Sequence, residues 1–253
     1  MINFSGIPRS AFLGRALRWP LRLVPGEAEV AILQGPLRSK RWIAGAANHG
    51  CWLGSYEAAK QKKVAQALRP GMTCWDIGAN VGFYTLLFAE LVRADGKVFA
   101  FEPFPENVGL LRRHVAINSY SNVRIIPSAV GNFDGETGFV PGPNASMGHI
   151  TSGGQVRVPC SRLDTLLAAG DIDTPDLIKI DVEGAEADVL RGAGAVLANH
   201  PVIFLATHGE LVHRECLELL AAAGYSVTAL DGGPPDGKDE IVSRASNMPA
   251  GLK

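Results

Sequence analysis

Cysteine is scarce: four stand in 253 residues, at positions 51, 74, 160 and 216, and none forms a Cys-x-x-Cys pair. So wide a spacing argues against a structural zinc site or a disulfide framework and fits a reducing cytoplasm. Long apolar runs are missing too. No stretch approaches the ~18 consecutive apolar residues of a membrane-spanning helix. In the first thirty residues Arg15, Arg18, Pro20 and Arg22 break up any secretory-type apolar core. Net charge is almost absent, with 24 Lys+Arg against 25 Asp+Glu. That balance gives no global attraction to nucleic acid, so none is expected as a partner. Internal repeats and low-complexity tracts are lacking as well.

What is present is ordinary globular composition, 47% hydrophobic and 19% charged, too apolar for a disordered chain. The small net charge hides a split. Residues 1–69 hold 11 basic and 3 acidic side chains, and residues 70–253 hold 13 and 22. The length suits one large α/β domain with an extension. The expected division is therefore a basic N-terminal extension or cap at 1–69 and a main domain at 70–253, with an irregular loop inserted at 131–154. The extension is a candidate lid, substrate-selecting cap or homodimer contact. Within it, residues 9–24 have a basic amphipathic pattern, with Arg15, Arg18 and Arg22 on one side and Phe12, Trp19 and Leu23 on another.

From residue 71 apolar runs alternate with helical stretches. Strands are expected at 72–77, 97–102, 123–126, 176–182 and 202–206, and helices at 81–92, 105–118, 185–190 and 210–223. Runs at 225–230 and 240–243 read as a final antiparallel pair. Continuous apolar strands alternating with helices imply a parallel sheet covered on both faces. The stretch 131–154 is rich in Gly, Pro, Asn and Ser, and so long an irregular segment in a compact domain is usually functional or mobile.

The sharpest motif is Asp76-Ile77-Gly78-Ala79-Asn80-Val81-Gly82-Phe83-Tyr84, between an apolar strand and a helix. Its glycines permit a tight turn and close ligand approach. It is not the three-glycine dinucleotide fingerprint. The acidic Asp76 at the strand end disfavours a pyrophosphate and suits a cationic ammonium group. Glu102, followed by Pro103, ends the next strand, where a carboxylate can accept hydrogen bonds from a ribose diol. An acid for an ammonium and an acid for a ribose together describe S-adenosyl-L-methionine (SAM). Ser128-Ala129-Val130 follows the third strand, where an adenine edge would meet backbone and small side chains.

The chain resembles the FkbM family of SAM-dependent methyltransferases. The resemblance rests on the segment 76–84, on Phe101-Glu102-Pro103, on Lys179-Ile180-Asp181-Val182-Glu183-Gly184-Ala185-Glu186 and on Trp52-Leu53-Gly54-Ser55-Tyr56-Glu57. It implies the class I methyltransferase fold, a Rossmann-like three-layer α/β architecture with a seven-stranded, mostly parallel sheet and an antiparallel last strand. It also implies methylation of hydroxyls on sugars or natural products, and in some members of nitrogen. A nicotinamide-dependent reductase stays open as an alternative.

The expected cofactor contacts are Glu57, Asp76, Gly78, Ala79, Asn80, Gly82, Tyr84, Glu102, Pro103, Ser128, Ala129, Asp181 and Glu183. The expected catalytic groups are His208, Asp181 and Glu186. Asp181, Glu183 and Glu186 are three carboxylates within six residues, and like charges at close range raise at least one pKa toward that of a general base. Hard cations favour such oxygens, but no metal ligand set is assigned. His208 follows an apolar strand, where a neutral imidazole could take a hydroxyl proton. Family members often carry a Glu two residues before the matching His. Here that position is Ala206, which shifts weight to His208. His213 is expected at the surface, and His149 beside the irregular loop. The acceptor is expected to be a small hydroxylated molecule.

Overall fold

A computed structural model describes residues 20–140, 149–150, 153–154 and 156–246. The amphipathic pattern at 9–19 therefore lies outside the described residues, as do 141–148 of the irregular loop and the side chain of His149.

The first elements precede the main sheet. Strands β1 (Glu29–Ala31) and β2 (Arg41–Ile43) pair antiparallel, and helices α1 (His49–Leu53) and α2 (Ala58–Ala67) follow. The alternating part then runs through β3 (Thr73–Ile77), α3 (Phe83–Val92), β4 (Lys97–Phe101), α4 (Pro105–Ile117) and β5 (Val123–Ile126). Proline opens α4, where its missing donor leaves no bond unmade. After β5 come β6 (Ala129–Val130), β7 (Gly135–Val140), β8 (His149–Ile150), β9 (Val156–Ser161) and α5 (Leu163–Ala168). The chain finishes with β10 (Leu177–Ile180), α6 (Glu186–Arg191), α7 (Gly194–Leu197), β11 (Val202–Ala206), α8 (Glu210–Ala222), β12 (Tyr225–Ala229) and β13 (Glu240–Ala245).

Seven strands form one sheet in the order β12-β13-β11-β10-β3-β4-β5. All neighbours run parallel except β13, which is antiparallel to both β11 and β12. This is the class I methyltransferase sheet. The two expected final strands pair with each other as read from the sequence, and β13 slots between β11 and β12.

Successive strand residues point to opposite faces, and the sheet accordingly builds two cores. Trp75, Ile77, Phe99, Ile178, Ile180, Ile203 and Leu205 pack on one face with α6, α7 and α8. Cys74, Val98, Leu177, Phe204 and Val242 pack on the other with α3. The second core also takes in Ile32, Leu37, Trp42, Ile43, Trp52 and Val64 from the elements before the sheet. Trp42 is fully buried, stacked on His114 at 3.9 Å between ring centroids and edge-on to Phe83 at 5.9 Å. The His114 ring bridges the two parts. Its Nδ1 donates to the Val81 carbonyl at 2.7 Å, and its Nε2 accepts from the Ile43 amide at 3.1 Å. Burial lowers the His114 pKa to about 4, so the ring is neutral, as those two bonds require.

The stretch expected to be irregular is partly ordered sheet. β7 pairs antiparallel with both β9 and β8, and β6 pairs parallel with β9, making a second sheet of order β6-β9-β7-β8. Its glycine and proline content masks the pattern, but Phe139, Val158 and Cys160 still close a small core under it. All four cysteines are buried and free. Among the described residues no helix is long and apolar enough to cross a membrane.

Candidate functional site

In an open α/β sheet, ligands bind beyond the carboxyl ends of the strands where the strand order reverses. Here the reversal lies between β3 and β10. The chain proceeds from β3 outward to β5, then returns to β10 on the other side. The Asp181 amide still donates to the Ile77 carbonyl at 3.1 Å, so the two strand ends separate just past these residues. A cavity of about 1020 Å³, open solvent at its mouth included, sits at this point.

The turn after β3 forms one wall. Gly78 has φ +74°, and a Cβ there would meet the Asp181 carbonyl oxygen at 1.9 Å. Gly82 has φ +99°, and its Cβ would meet Leu111 Cδ1 at 2.4 Å. Position 78 therefore demands glycine for space and for the left-handed backbone, and position 82 for the left-handed backbone. Asn80 between them also lies in the left-handed region, at φ +51°.

Glu102, 4% exposed at the tip of β4, is held by three donors. The Asn80 amide binds Oε2 at 2.8 Å, and the Phe104 amide and Asn107 Nδ2 bind Oε1 at 2.9 and 3.2 Å. Burial raises its pKa, against the pull of those donors. A carboxylate has about four acceptor positions, so this one is aimed and keeps capacity for a ligand hydroxyl. Ser128, Ala129 and Val130 line the cavity beyond it. Phe139 joins them from β7, with Phe104 stacked behind it at 5.4 Å.

Ala47, Asn48, Cys51 and Tyr56 from the elements before the sheet form the opposite wall. A buried charge network lies behind them. Lys60 is 2% exposed and pairs with Glu57 at 2.8 Å and Glu240 at 2.5 Å. The Tyr84 hydroxyl donates to Glu57 at 2.8 Å. Burial pushes the Glu57 carboxyl up, but Lys60 and the tyrosine hydroxyls outweigh it and leave the pKa lowered.

The expected cofactor residues divide accordingly. Gly78, Ala79, Asn80, Gly82, Tyr84, Glu102, Pro103, Ser128, Ala129, Asp181 and Glu183 line the cavity; Glu57 and Asp76 do not. Asp76 is fully buried, accepts a bond from the Thr85 hydroxyl at 2.6 Å and faces Lys179 Nζ at 3.2 Å. The ammonium it meets here is thus the protein's own. Lys179 also donates to the Gly78 carbonyl at 2.8 Å and lies 3.7 Å from Asp181. Burial lowers its pKa, but Asp76 and Asp181 more than reverse that, and it stays charged. Of the two aspartates at these strand ends, Asp181 is the one that lines the cavity.

His208 comes off the end of β11 and reaches the acids after β10. Its Nδ1 lies 2.8 Å from Glu186 Oε1, and its Nε2 lies 3.4 Å from Glu183 and 3.8 Å from Asp181. The bond to Glu186, itself fully buried, raises the His208 pKa to about 9 against the effect of burial. The neutral imidazole expected from the sequence is therefore corrected to an imidazolium at neutral pH in the free protein. Burial raises the Glu183 pKa, and His208 opposes it. His213, expected at the surface, is half-buried, and its Nδ1 lies 2.9 Å from the Thr207 hydroxyl.

Sequence reasoning missed Lys60, Lys179, Glu240, Tyr56 and Phe139. Lys179 carried a usable signal, since a lysine inside a four-residue apolar strand is either an edge or a buried counter-ion.

Known proteins resemble this chain in sequence and in fold. The sequence profile of the FkbM methyltransferase domain matches residues 76–227. The hexuronic acid methyltransferase AglP of Haloferax volcanii is 26% identical over 179 residues, covering 68% of this chain and 70% of that one. The 2-O-methyltransferase NoeI of Sinorhizobium fredii is 30% identical over 179 residues, covering 60% and 72%. Among solved structures, an rRNA-methylase fold from Clostridium thermocellum overlays with a TM-score of 0.50 at 12% identity, covering 75% of this chain and 95% of that one, a likeness of fold alone.

Proposed function

The chain belongs to the FkbM family of SAM-dependent methyltransferases, and we propose that it methylates a hydroxyl of a small polyhydroxylated molecule, of the sugar or natural-product class. The names of two relatives, one acting on a hexuronic acid and one a 2-O-methyltransferase, favour oxygen as the acceptor.

The residues present fit the cofactor. Glu102 offers an oriented carboxylate for the ribose hydroxyls, and the Ser128–Val130 segment with Phe139 offers a small-residue and aromatic pocket for the base. Gly78 leaves room where a side chain would strike the neighbouring strand. When bound, the cofactor supplies a methyl group already activated by its sulfonium.

The chain must then align the acceptor, exclude water and receive a proton. The observation that carries the hydroxyl reading is the Asp181–Glu183–His208 cluster at the cavity edge. The acceptor oxygen sits against this cluster, and its proton passes to one of the cluster's carboxylates. Glu186 acts through His208 as a positioning residue. The free, buried cysteines accord with a reducing compartment such as the cytoplasm.

The test is turnover with SAM and a panel of uronic acids, neutral sugars and primary amines, followed as S-adenosylhomocysteine release. Hydroxylated acceptors should react, and Glu183→Gln, which removes a carboxylate of the cluster, should lower kcat by about 10²–10⁴-fold, with SAM affinity within about threefold of wild type. Turnover with amines alone would overturn the reading.

A further inference from the structure

Four carboxylates crowd the ends of β3 and β10: Asp76, Asp181, Glu183 and Glu186. Lys179 answers Asp76 at 3.2 Å and reaches Asp181 only at 3.7 Å. His208 is the one other cation that touches the group among the described residues. Even with His208 protonated, Asp181, Glu183 and Glu186 exceed the positive charge left to them.

The ring is presented as a metal-binding imidazole. Its Nδ1 is tied to the buried Glu186 carboxylate at 2.8 Å, which fixes Nε2 as the outward nitrogen. Carboxylate–histidine pairs of this kind orient ligands in metal sites. Nε2 then faces Glu183 Oε2 at 3.4 Å and Asp181 Oδ1 at 3.8 Å. One ligand atom from each of the three residues lies within 4.8 Å of the other two. Metal–ligand bonds of about 2.1 Å separate neighbouring ligand atoms by about 3.0–3.4 Å, and the two carboxylate distances from Nε2 lie at or within a few tenths of an ångström of that spacing. Glu186 is fully buried; its Oε1 holds His208 and accepts from the Gly184 amide at 3.0 Å, but its Oε2 has no hydrogen-bond partner among the described residues. A buried carboxylate oxygen left unanswered favours additional positive charge beside it.

We propose that Asp181, Glu183 and His208 bind one divalent cation that accepts mixed oxygen and nitrogen ligands, of the Mn²⁺ class, at the acceptor side of the cavity. The inference rests on the hydroxyl reading above and deepens it. Asp181 and Glu183 line the cavity, so a cation held there takes the acceptor hydroxyl as a further ligand. It replaces the imidazolium proton as the local positive charge and makes the hydroxyl more acidic. The O–H proton passes to a cluster carboxylate and on to water. The new O–CH₃ bond forms as the donor's S–CH₃ bond breaks. An acceptor with adjacent oxygens, such as a vicinal diol or a hydroxy acid, would grip the cation through two of them.

The experiment is Mn²⁺ titration of the full chain with S-adenosylhomocysteine present, following free Mn²⁺ by electron paramagnetic resonance. Co²⁺ absorption serves as a second readout, sensitive to an imidazole ligand. One saturable site is expected. Glu183→Gln and His208→Gln should each weaken it at least tenfold, and Glu186→Gln by about 10–100-fold. Glu183 is partly exposed, so its variant keeps the fold even where the Glu186 variant does not. No saturable site in the wild type, or one that the Glu183 and His208 variants leave unchanged, overturns the inference. Assays with and without chelator separate the two readings. Methylation of hydroxyls that persists unchanged in chelator removes the cation and keeps the hydroxyl reading. Saturable cation binding with turnover on amines alone removes the hydroxyl reading and keeps the cation site.

Discussion

The two walls of the cavity are made in different ways. On the wall proposed for the nucleoside, each lining residue stands at or just past a strand tip, from Gly78 after β3 through Glu102 after β4 to Ser128 after β5. Sequence order and spatial order coincide there. On the opposite wall, Asn48, Cys51 and Tyr56 come from elements joined to the main sheet by contacts far apart in the chain, such as Tyr56 on Phe83, Trp42 on His114 and Lys60 on Glu240. The first wall is local geometry, and the second is tertiary packing. Damage to the second wall should therefore unfold the chain, whereas damage to the first should weaken binding with the fold intact.

The largest effect is expected from Trp42→Ala. Its ring is fully buried between His114 and Phe83, and removing it should destabilise the protein by about 3–5 kcal/mol. Urea unfolding measures this. A loss below ~1 kcal/mol would mean that residues 29–68 are a detachable cap and not part of the core.

A smaller effect is expected from acid. The His114 pKa is lowered from 6.5 to about 4 in the folded state. Between those values the unfolded chain binds the extra proton, so stability is full above pH ~6.5 and falls as pH drops toward 4. The contribution is about 3 kcal/mol. His114→Gln should flatten this dependence, as read by thermal melts at intervals across that range. An unchanged slope would sever the link between Ile43 and Val81 that the ring provides.

The smallest effect is expected at the surface. Lys97 and Asp173 pair at 2.5 Å, but both side chains are at least half exposed. Lys97→Met should change stability by no more than ~0.5 kcal/mol. A larger change would blur the contrast between packed and peripheral charge.

The same contrast explains what could be read in advance. The strand-helix alternation, the glycine turn and Glu102 were legible because each is set by neighbours within a few residues. The sheet of β6 to β9 was not, because its strands are short and its turns rich in glycine and proline. Lys60 was not, because its partner Glu240 lies 180 positions away and helical spacing alone reads it as exposed. The protonation of His208 was missed for the same reason. Its place after β11 was visible, but the buried carboxylate of Glu186 that fixes its charge comes from another strand end.

The central claim is that the nucleoside wall is a SAM site organised by Glu102. Isothermal titration of wild type and Glu102→Gln with SAM tests it most directly. The variant removes the charge and keeps the volume, but its amide NH2 replaces one of the two oxygens that accept N–H donors, so it should melt somewhat lower while staying folded at the titration temperature. Wild type should bind, and the variant should bind about 10–100-fold more weakly, a difference of about 1.4–2.8 kcal/mol. Equal affinity in the two proteins, or no binding to wild type, would contradict the account.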